Sequence, residues 1–364
     1  MKVIVDARNV TRTGIGTYTK NLVKGLLECK RLPLDIALAG KPEDIERSFG
    51  RDVKIIPLSD SIYSLREQVD TFFMELRSKG DFDLVHYLNY NKSFFSVMPY
   101  VVTVHDLIQF RFGYSSKVKQ VLGKMVLQNT VKNAKAVICV SNFVRNELLD
   151  FCKIDESKVF VVYNPVPKIS YSDSEEEDNF TKPFKIYVLC VGNRKPHKNF
   201  GVVVRALELL KDKYPELGLV IVGKKFEEYD YLDKLVEASQ VRERVLLLEG
   251  VPYAYLSFLY KNAILTVSPS LYEGFGFVPF ESLKFDTLPL ISDIPVSREL
   301  FFSMDEDVFF DPHSPTDLAS KIELFMNNDE LRDKKKKLLS KYLDYYSFER
   351  FIDGVIEVYE RCFD

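Results

Sequence analysis

In the stretch LYEGFGFVPFES (271–282), Glu273 and Glu281 stand on either side of a Gly-Phe-Gly turn and a proline, among residues that are otherwise apolar. A carboxylate can accept two hydrogen bonds from a vicinal diol, the arrangement offered by a ribose or a hexose. Gly274 and Gly276 would let such a ligand come close to backbone N–H donors, and Pro279 suits the first turn of a helix that would carry Glu281. A second cluster is cationic. In CVGNRKPHKNFG (190–201) a strand ends at Gly192, Arg194, Lys195, His197 and Lys198 follow on a polar loop, and Asn199 is placed to cap a helix starting near Phe200. Cations on a loop that feeds a helix N-terminus suit a phosphate or diphosphate; a solvated basic turn is the competing reading of that loop taken alone.

Both clusters follow strand-like runs, and the elements that must position them recur along the chain. KVIVD, DIALAG, DVKIIP, DLVHYL, VVTVHD, AVICVS and KVFVVYN read as buried strands separated by helical stretches, an alternation that predicts a parallel sheet covered on both faces. PVPKISYSDSEEEDNFTKPF breaks the rhythm with prolines and an acidic run, and reads either as an interdomain linker or as a long surface loop. YVLCVG, LGLVIVG, RVLLLEG, AILTVSP, LPLISD and DVFFDP then resume the alternation. The expectation is two doubly wound α/β domains: 1–168, an acidic linker 169–182, and 183–345, with a final helix (346–364) returning to the first domain. Ligands of such sheets bind beyond the carboxyl ends of the strands.

At 364 residues the chain suits two ordinary cores, and 46% hydrophobic with 28% charged residues is globular usage. A net charge of -3 predicts no general affinity for nucleic acid. The five cysteines are scattered and never form a C-x-x-C pair, which suits a reducing compartment. MKVIVDARNV runs directly into a strand, and no apolar run reaches the length that spans a bilayer. The expected location is cytoplasmic, peripheral at most on the inner face of a membrane.

Together these segments resemble glycosyltransferase family 4, retaining enzymes of the GT-B fold. Glu273 and Glu281 match its E-x7-E element, VGNRKPHKN its diphosphate loop, TGIGTYTKNL its N-terminal glycine loop, and VVTVHDL its strand carrying a histidine. ICVSNFVRNEL and VVYNP resemble the segments before its linker. The resemblance implies a nucleotide-sugar donor, GDP-mannose first, with UDP-glucose or UDP-N-acetylglucosamine beside it, and a glycan or lipid-linked acceptor. By the same resemblance Glu281 would hold the donor ribose. Glu273 with the amides of Gly274, Phe275 and Gly276 would hold the hexose, and Arg194 and Lys198 would neutralise the diphosphate. Gly14 and Gly16 would approach those phosphates, and His105 would face the reacting sugar. The chain departs from the family at Asp286, where glycine is usual, and at Asn164-Pro165, where Asn-Gly is frequent; Asp286 is expected to need a left-handed backbone.

The resemblance implies a front-face substitution with retention. The departing diphosphate would be stabilised by fixed cations and helix dipoles, so no metal or other cofactor is expected. DFD (Asp81, Asp83) and DED (Asp305, Asp307) read as solvated turns, and His86 and His313 as structural. A nicotinamide-dependent oxidoreductase would need glycine at Thr19 and an acidic end to its second strand, and the chain has neither. A sugar-nucleotide epimerase or a non-catalytic nucleotide-sugar-binding protein is the remaining alternative. From Leu107 to Asn146 there is no acidic residue but seven cations, Arg111, Lys117, Lys119, Lys124, Lys132, Lys135 and Arg145, with Phe110, Phe112 and Tyr114 nearby. Val118, Val121, Leu122 and Met125 fall on one helical face, which either packs on its own domain or docks on anionic lipid.

Overall fold

A computed structural model describes residues 1–11, 14–29, 31, 33–59, 64–113, 117–166, 180–226 and 231–363. Tyr114 and most of the acidic stretch 169–182 lie outside them. The chain divides into two compact units, Met1–Pro165 with Tyr346–Asp364, and Val166–Tyr345.

The first unit is built on β1 (Lys2–Asp6), β2 (Asp35–Gly40), β3 (Lys54–Pro57), β4 (Leu84–Tyr87), β5 (Tyr100–Val104), β6 (Ala136–Cys139) and β7 (Val159–Val161). They form one sheet in the order β3-β2-β1-β4-β5-β6-β7, with every neighbouring pair parallel. Val3, Ile4, Val5, Leu38, Val85, Val101, Val102 and Ile138 are fully buried. Side chains on both sheet faces are therefore covered, which is why these strands are continuous β-branched runs rather than alternating ones. The last helix, Phe348–Arg361, belongs to this unit. Its Tyr359 hydroxyl lies 2.6 Å from Nδ1 of the buried His86 on β4, whose Nε2 is 2.9 Å from Thr103 Oγ1 on β5. Burial pushes the His86 pKa down to about 3, so the ring is a neutral hydrogen-bonding bridge between sheet and helix.

At the carboxyl end of β1, the buried Arg8 donates to both oxygens of Asp6 (2.8 and 2.7 Å), to Glu67 (2.8 Å) and to the Asn91 carbonyl (3.0 Å). Two carboxylates and a carbonyl around one guanidinium satisfy the buried charges mutually, and the loop after β1 is thereby fixed to the helix Leu65–Ser78 and to the β4–β5 connection.

The second unit contains β8 (Ile186–Val191), β9 (Leu217–Val222), β10 (Val245–Leu248), β11 (Leu265–Ser268), β12 (Pro289–Ser292) and β13 (Phe309–Phe310), in the order β10-β9-β8-β11-β12-β13 and again parallel throughout. The change of direction falls beside β8 and β11, the two strands whose loops carry the cationic cluster and the glycine turn. Asp286 has φ 57°, the expected left-handed conformation, and its carboxylate accepts from Lys336 at 2.9 Å.

Candidate functional site

The β8 loop leaves its strand through Gly192, whose backbone passes so close to the end of β9 that a Cβ on Gly223 would lie 1.6 Å from the Gly192 carbonyl oxygen. Only glycine fits there. A short 3-10 turn, Pro196–Lys198, follows, and then the helix Phe200–Leu210. Asn199 departs from the expected cap. It adopts φ 54° and makes no side-chain cap; its amide donates instead to the Pro312 carbonyl at 2.7 Å, which ties the turn to the loop after β13. The His197 carbonyl accepts from the Leu271 amide at 2.8 Å, joining the cationic turn to the loop after β11.

That second loop holds the glycine turn. Lys198 Nζ lies 2.5 Å from Glu273 Oε1, which also accepts from Ser270 Oγ at 2.7 Å. Burial alone would raise the Glu273 carboxyl; the Lys198 ammonium and the Ser270 hydroxyl outweigh it and hold the pKa below the usual value, so Glu273 is ionised at neutral pH. Gly276, at φ 85°, turns the chain back over Glu273, with its Cβ position 3.6 Å from Glu273 Cγ. Gly274 is buried in the turn. The Phe275 ring is buried too, stacked on Phe280 at 5.3 Å, so the side chain anchors the loop.

Glu281 stands in the first turn of the helix Val278–Lys284, with Pro279 beside it. Its Oε2 accepts from the Tyr260 hydroxyl at 2.9 Å, and Oε1 has no hydrogen-bond partner among the described residues. Burial raises this carboxyl, with the Tyr260 hydrogen bond and Lys198 working against the rise. Tyr260 is held by stacking on Phe285, at 5.1 Å and 12°. One oxygen of Glu281 is thus positioned by the protein while the other is available to a hydroxyl. Sequence reading missed Tyr260, which looks like any core aromatic of YAYLSFLY, and Ser270, whose spacing three residues before Glu273 was the available signal.

Arg194 sits apart from this group. It is 3% exposed, with Nη1 at 3.6 Å from Asp233 and 3.8 Å from Glu249, and Nη2 donates to the Leu248 carbonyl at 3.4 Å. Its guanidinium therefore binds the β8 loop to the end of β10 and to the helix Tyr231–Ala238, a structural duty the sequence reading did not foresee. Lys198 is the cation that meets Glu273.

The remaining expected residues belong to the first unit. Gly14 precedes the helix Ile15–Glu28 at φ 58° with open space around it, and Gly16 packs so that a Cβ would meet the Val10 carbonyl oxygen at 2.8 Å. His105 follows β5 and its Nε2 lies 2.9 Å from the Leu88 carbonyl oxygen. A carbonyl only accepts, so the proton is on Nε2 and Nδ1 presents a lone pair. Burial lowers the His105 pKa to about 4, and Tyr18 packs edge-on at 4.7 Å.

The comparisons with known proteins agree with this architecture. The model of Glycosyltransferase Family 4 matches residues 12–168 and that of Glycosyl transferases group 1 matches 172–338. The chain is a group 1 glycosyltransferase of the family 4 type. It is 31% identical over 199 residues to the O-antigen chain mannosyltransferase RfbU of Salmonella typhimurium, a match covering 55% of this chain and 53% of that protein, about half its length. Among solved structures it resembles sucrose-phosphate synthase from Thermosynechococcus elongatus, with TM-score 0.76, 18% identity, and 100% and 99% of the two chains covered. It also resembles Anabaena HepE in complex with UDP and glucose, with TM-score 0.74, 16% identity and 99% of each chain covered. The two parallel-sheet domains of this glycosyltransferase are accordingly of the GT-B fold.

Three of the four carboxylates in the acidic turns of the glycosyltransferase have partners on the protein. Asp305 and Asp307 clamp the buried Lys335, the latter at 2.7 Å, and Asp83 accepts from the Lys2 amide at 2.8 Å. The DED and DFD turns are solvent-facing, as expected, with Asp81, Asp83 and Asp305 exposed, and these pairings occur at the surface. No helix among the described residues is long and apolar enough to cross a membrane.

Two buried histidines, His86 and His197, and the part-buried His105 give a prediction about pH. His86 is lowered to about 3, and His105 and His197 to about 4, in each case chiefly by burial. Their unfolded value is near 6.5, so below that pH the unfolded chain binds more protons and the fold loses stability. Their contribution is complete above pH 6.5 and declines as the pH falls towards 4. From pH 7 to 6 each histidine accounts for a loss of less than about 1 kcal/mol. Thermal unfolding followed between pH 7 and 5 should show a progressive fall in Tm. A constant Tm across that window is the contrary result.

Proposed function

We propose that this glycosyltransferase moves a mannosyl residue from GDP-mannose to a glycan or lipid-linked acceptor, with retention of configuration and without a metal ion. The observation that carries the reading is the Lys198–Glu273 pair at the glycine turn: a cation on a phosphate-binding type of loop beside an ionised carboxylate. A nucleoside diphosphate would bring its phosphates to Lys198, with Arg194 adding positive charge from behind the loop. Its ribose hydroxyls would donate to the open oxygen of Glu281, and the hexose would lie against Glu273 and the amides of Gly274, Phe275 and Gly276.

The assignment of the sugar is supported by the likeness to an O-antigen mannosyltransferase. HepE, which shares the fold, is described with UDP and glucose, so the uridine donor is the natural comparison in the test. In the first unit, Gly14 and Gly16 are the backbone positions suited to approach a phosphate. His105 would face the transferred hexose, with Nδ1 accepting from a sugar hydroxyl. Fixed cations stabilise the departing diphosphate, which is the step a metal ion performs in other transferases.

Release of nucleoside diphosphate is to be measured with GDP-mannose, UDP-glucose and UDP-N-acetylglucosamine over a panel of mannose-terminated and lipid-linked acceptors, in buffer and in excess EDTA. Acceptor-dependent release of GDP that survives EDTA, with an α-linked product from the α-configured donor by NMR, is the expected outcome. Preference for a uridine donor overturns the sugar assignment. Loss of activity in EDTA with rescue by manganese overturns metal independence, and a β-linked product overturns retention.

A further inference from the structure

The helix Lys117–Asn133 is apolar on two sides. Leu127, Thr130 and Val131 are buried against its own unit. On the other side Val118, Val121, Leu122 and Met125 are 55–68% exposed, so the fold does not use them. Val118, Leu122 and Met125 follow one another at helical spacing, and the next residue of that row is Asn129. The Asn129 amide donates to the Phe94 carbonyl at 2.8 Å, which brings the β4–β5 connection to the end of the row. There Phe94 is 44% exposed and Phe95 73%.

This aromatic tip is held firmly. Gln68 accepts from the Phe94 amide at 2.6 Å. The buried Glu75 accepts from the amides of Val97 and Met98 (2.6 and 3.2 Å) and from Ser96 Oγ (2.7 Å). A buried carboxylate committed to three successive residues keeps a solvent-facing phenylalanine pair in place. Exposed apolar residues gathered in one contiguous patch mark a surface that binds something.

The charge pattern selects the occupant. Lys117, Lys119, Lys124 and Lys132 are exposed on the same helix, which has no acidic residue. Three of the cations in the wider segment are engaged on the protein: Arg111 pairs with Glu147 at 2.7 Å, Arg145 pairs with Glu156, and the Lys124 ammonium lies over the Phe151 ring at 4.3 Å. Phe110 also packs inward, 4.9 Å from Phe151. What remains is an apolar strip edged by lysines alone. Lysine can lay its methylene stem along apolar surface while its ammonium stays at the level of the lipid phosphates.

We propose that the exposed row Val118, Leu122 and Met125, with Val121 and the Phe94–Phe95 tip, docks on the surface of an anionic phospholipid bilayer, the flanking lysines pairing with lipid phosphates. The docking is independent of the donor and acceptor proposed above, since it needs neither and is measured in the absence of both.

The test is co-sedimentation of the full chain with vesicles of phosphatidylcholine alone and of phosphatidylcholine mixed with phosphatidylglycerol, at low and high salt. Binding is expected to the mixed vesicles and to weaken with salt. Each basic residue near the surface is worth about fivefold in partition, so Lys117→Glu with Lys119→Glu should lower it at least about tenfold. Leu122→Ser with Phe95→Ser should lower it similarly at low salt, with Tm unchanged in both variants. Equal partition to both vesicle types, or variants that bind like the parent, would overturn the proposal. So would a dimer in light scattering that Leu122→Ser dissociates, because the face would then belong to a second copy of the chain.

Discussion

Glu273→Gln should lower kcat by about a hundred- to a thousandfold while leaving affinity for GDP unchanged or slightly improved, whereas Glu281→Gln should chiefly raise KM for the donor by about tenfold. The two carboxylates differ in their surroundings. Glu273 is ionised and shares Lys198 with the diphosphate proposed to sit there. Positive charge that builds on the anomeric carbon during transfer is stabilised by a nearby carboxylate more than the ground state is. Glutamine removes that advantage, and it also releases Lys198 from its partner, so the ammonium can serve the diphosphate alone. In the proposed arrangement Glu281 would meet the ribose in ground state and transition state alike. Its glutamine variant keeps the acceptor for the Tyr260 hydroxyl, so the local structure should persist while a charge-assisted contact of about 1.5 to 3 kcal/mol is lost. Calorimetric titration with GDP beside steady-state kinetics separates the cases. Equal weakening of GDP by both changes would refute the division.

Much of this was legible because the physics is local. Parallel strands buried on both faces must be continuous apolar runs, so KVIVD or LGLVIV announces its element without long-range information. Asp286 could be expected at positive φ because the family it resembles usually has glycine there and aspartate tolerates that conformation better than most residues. Asn199 shows the limit. Its type and place suggested a cap, yet the decisive partner is Pro312, more than a hundred residues away, and no local pattern reports such a bond. Arg194 and Lys198 read alike as loop cations and differ only in what folds around them: Asp233, Glu249 and the Leu248 carbonyl for the first, Glu273 for the second. Tyr260 and Ser270 were missed for the same reason, since a residue that orients another has no signature of its own. The exposure of Val121 and Leu122 was beyond sequence as well, because a helix with apolar residues on two sides does not say which side the core takes.

That contrast between the two cations sets the second large effect. Lys198→Ala should reduce kcat/KM about a hundred- to a thousandfold with nearly unchanged Tm, since the lysine is near the surface of its unit and its loss leaves only one carboxylate short of a partner. Arg194→Ala should reduce activity too, but through the fold. Removing a buried guanidinium leaves the Leu248 carbonyl and Asp233 less satisfied, at a cost of about 1 to 2 kcal/mol, softened by the Lys225–Asp233 pair at 3.2 Å. The β8 loop then loosens and carries Lys198 with it. The readouts are Tm, GDP affinity and kcat/KM for both variants, together with the double variant Lys198→Ala with Glu273→Gln. Because Lys198 and Glu273 are in direct contact, the losses in that double variant should fall well short of the sum of the single ones. Additive losses would show that the pair does not act as a unit in the reaction. An Arg194→Ala protein with full Tm and lost GDP affinity would place that guanidinium directly on the phosphates and displace Lys198 as the principal cation of the site.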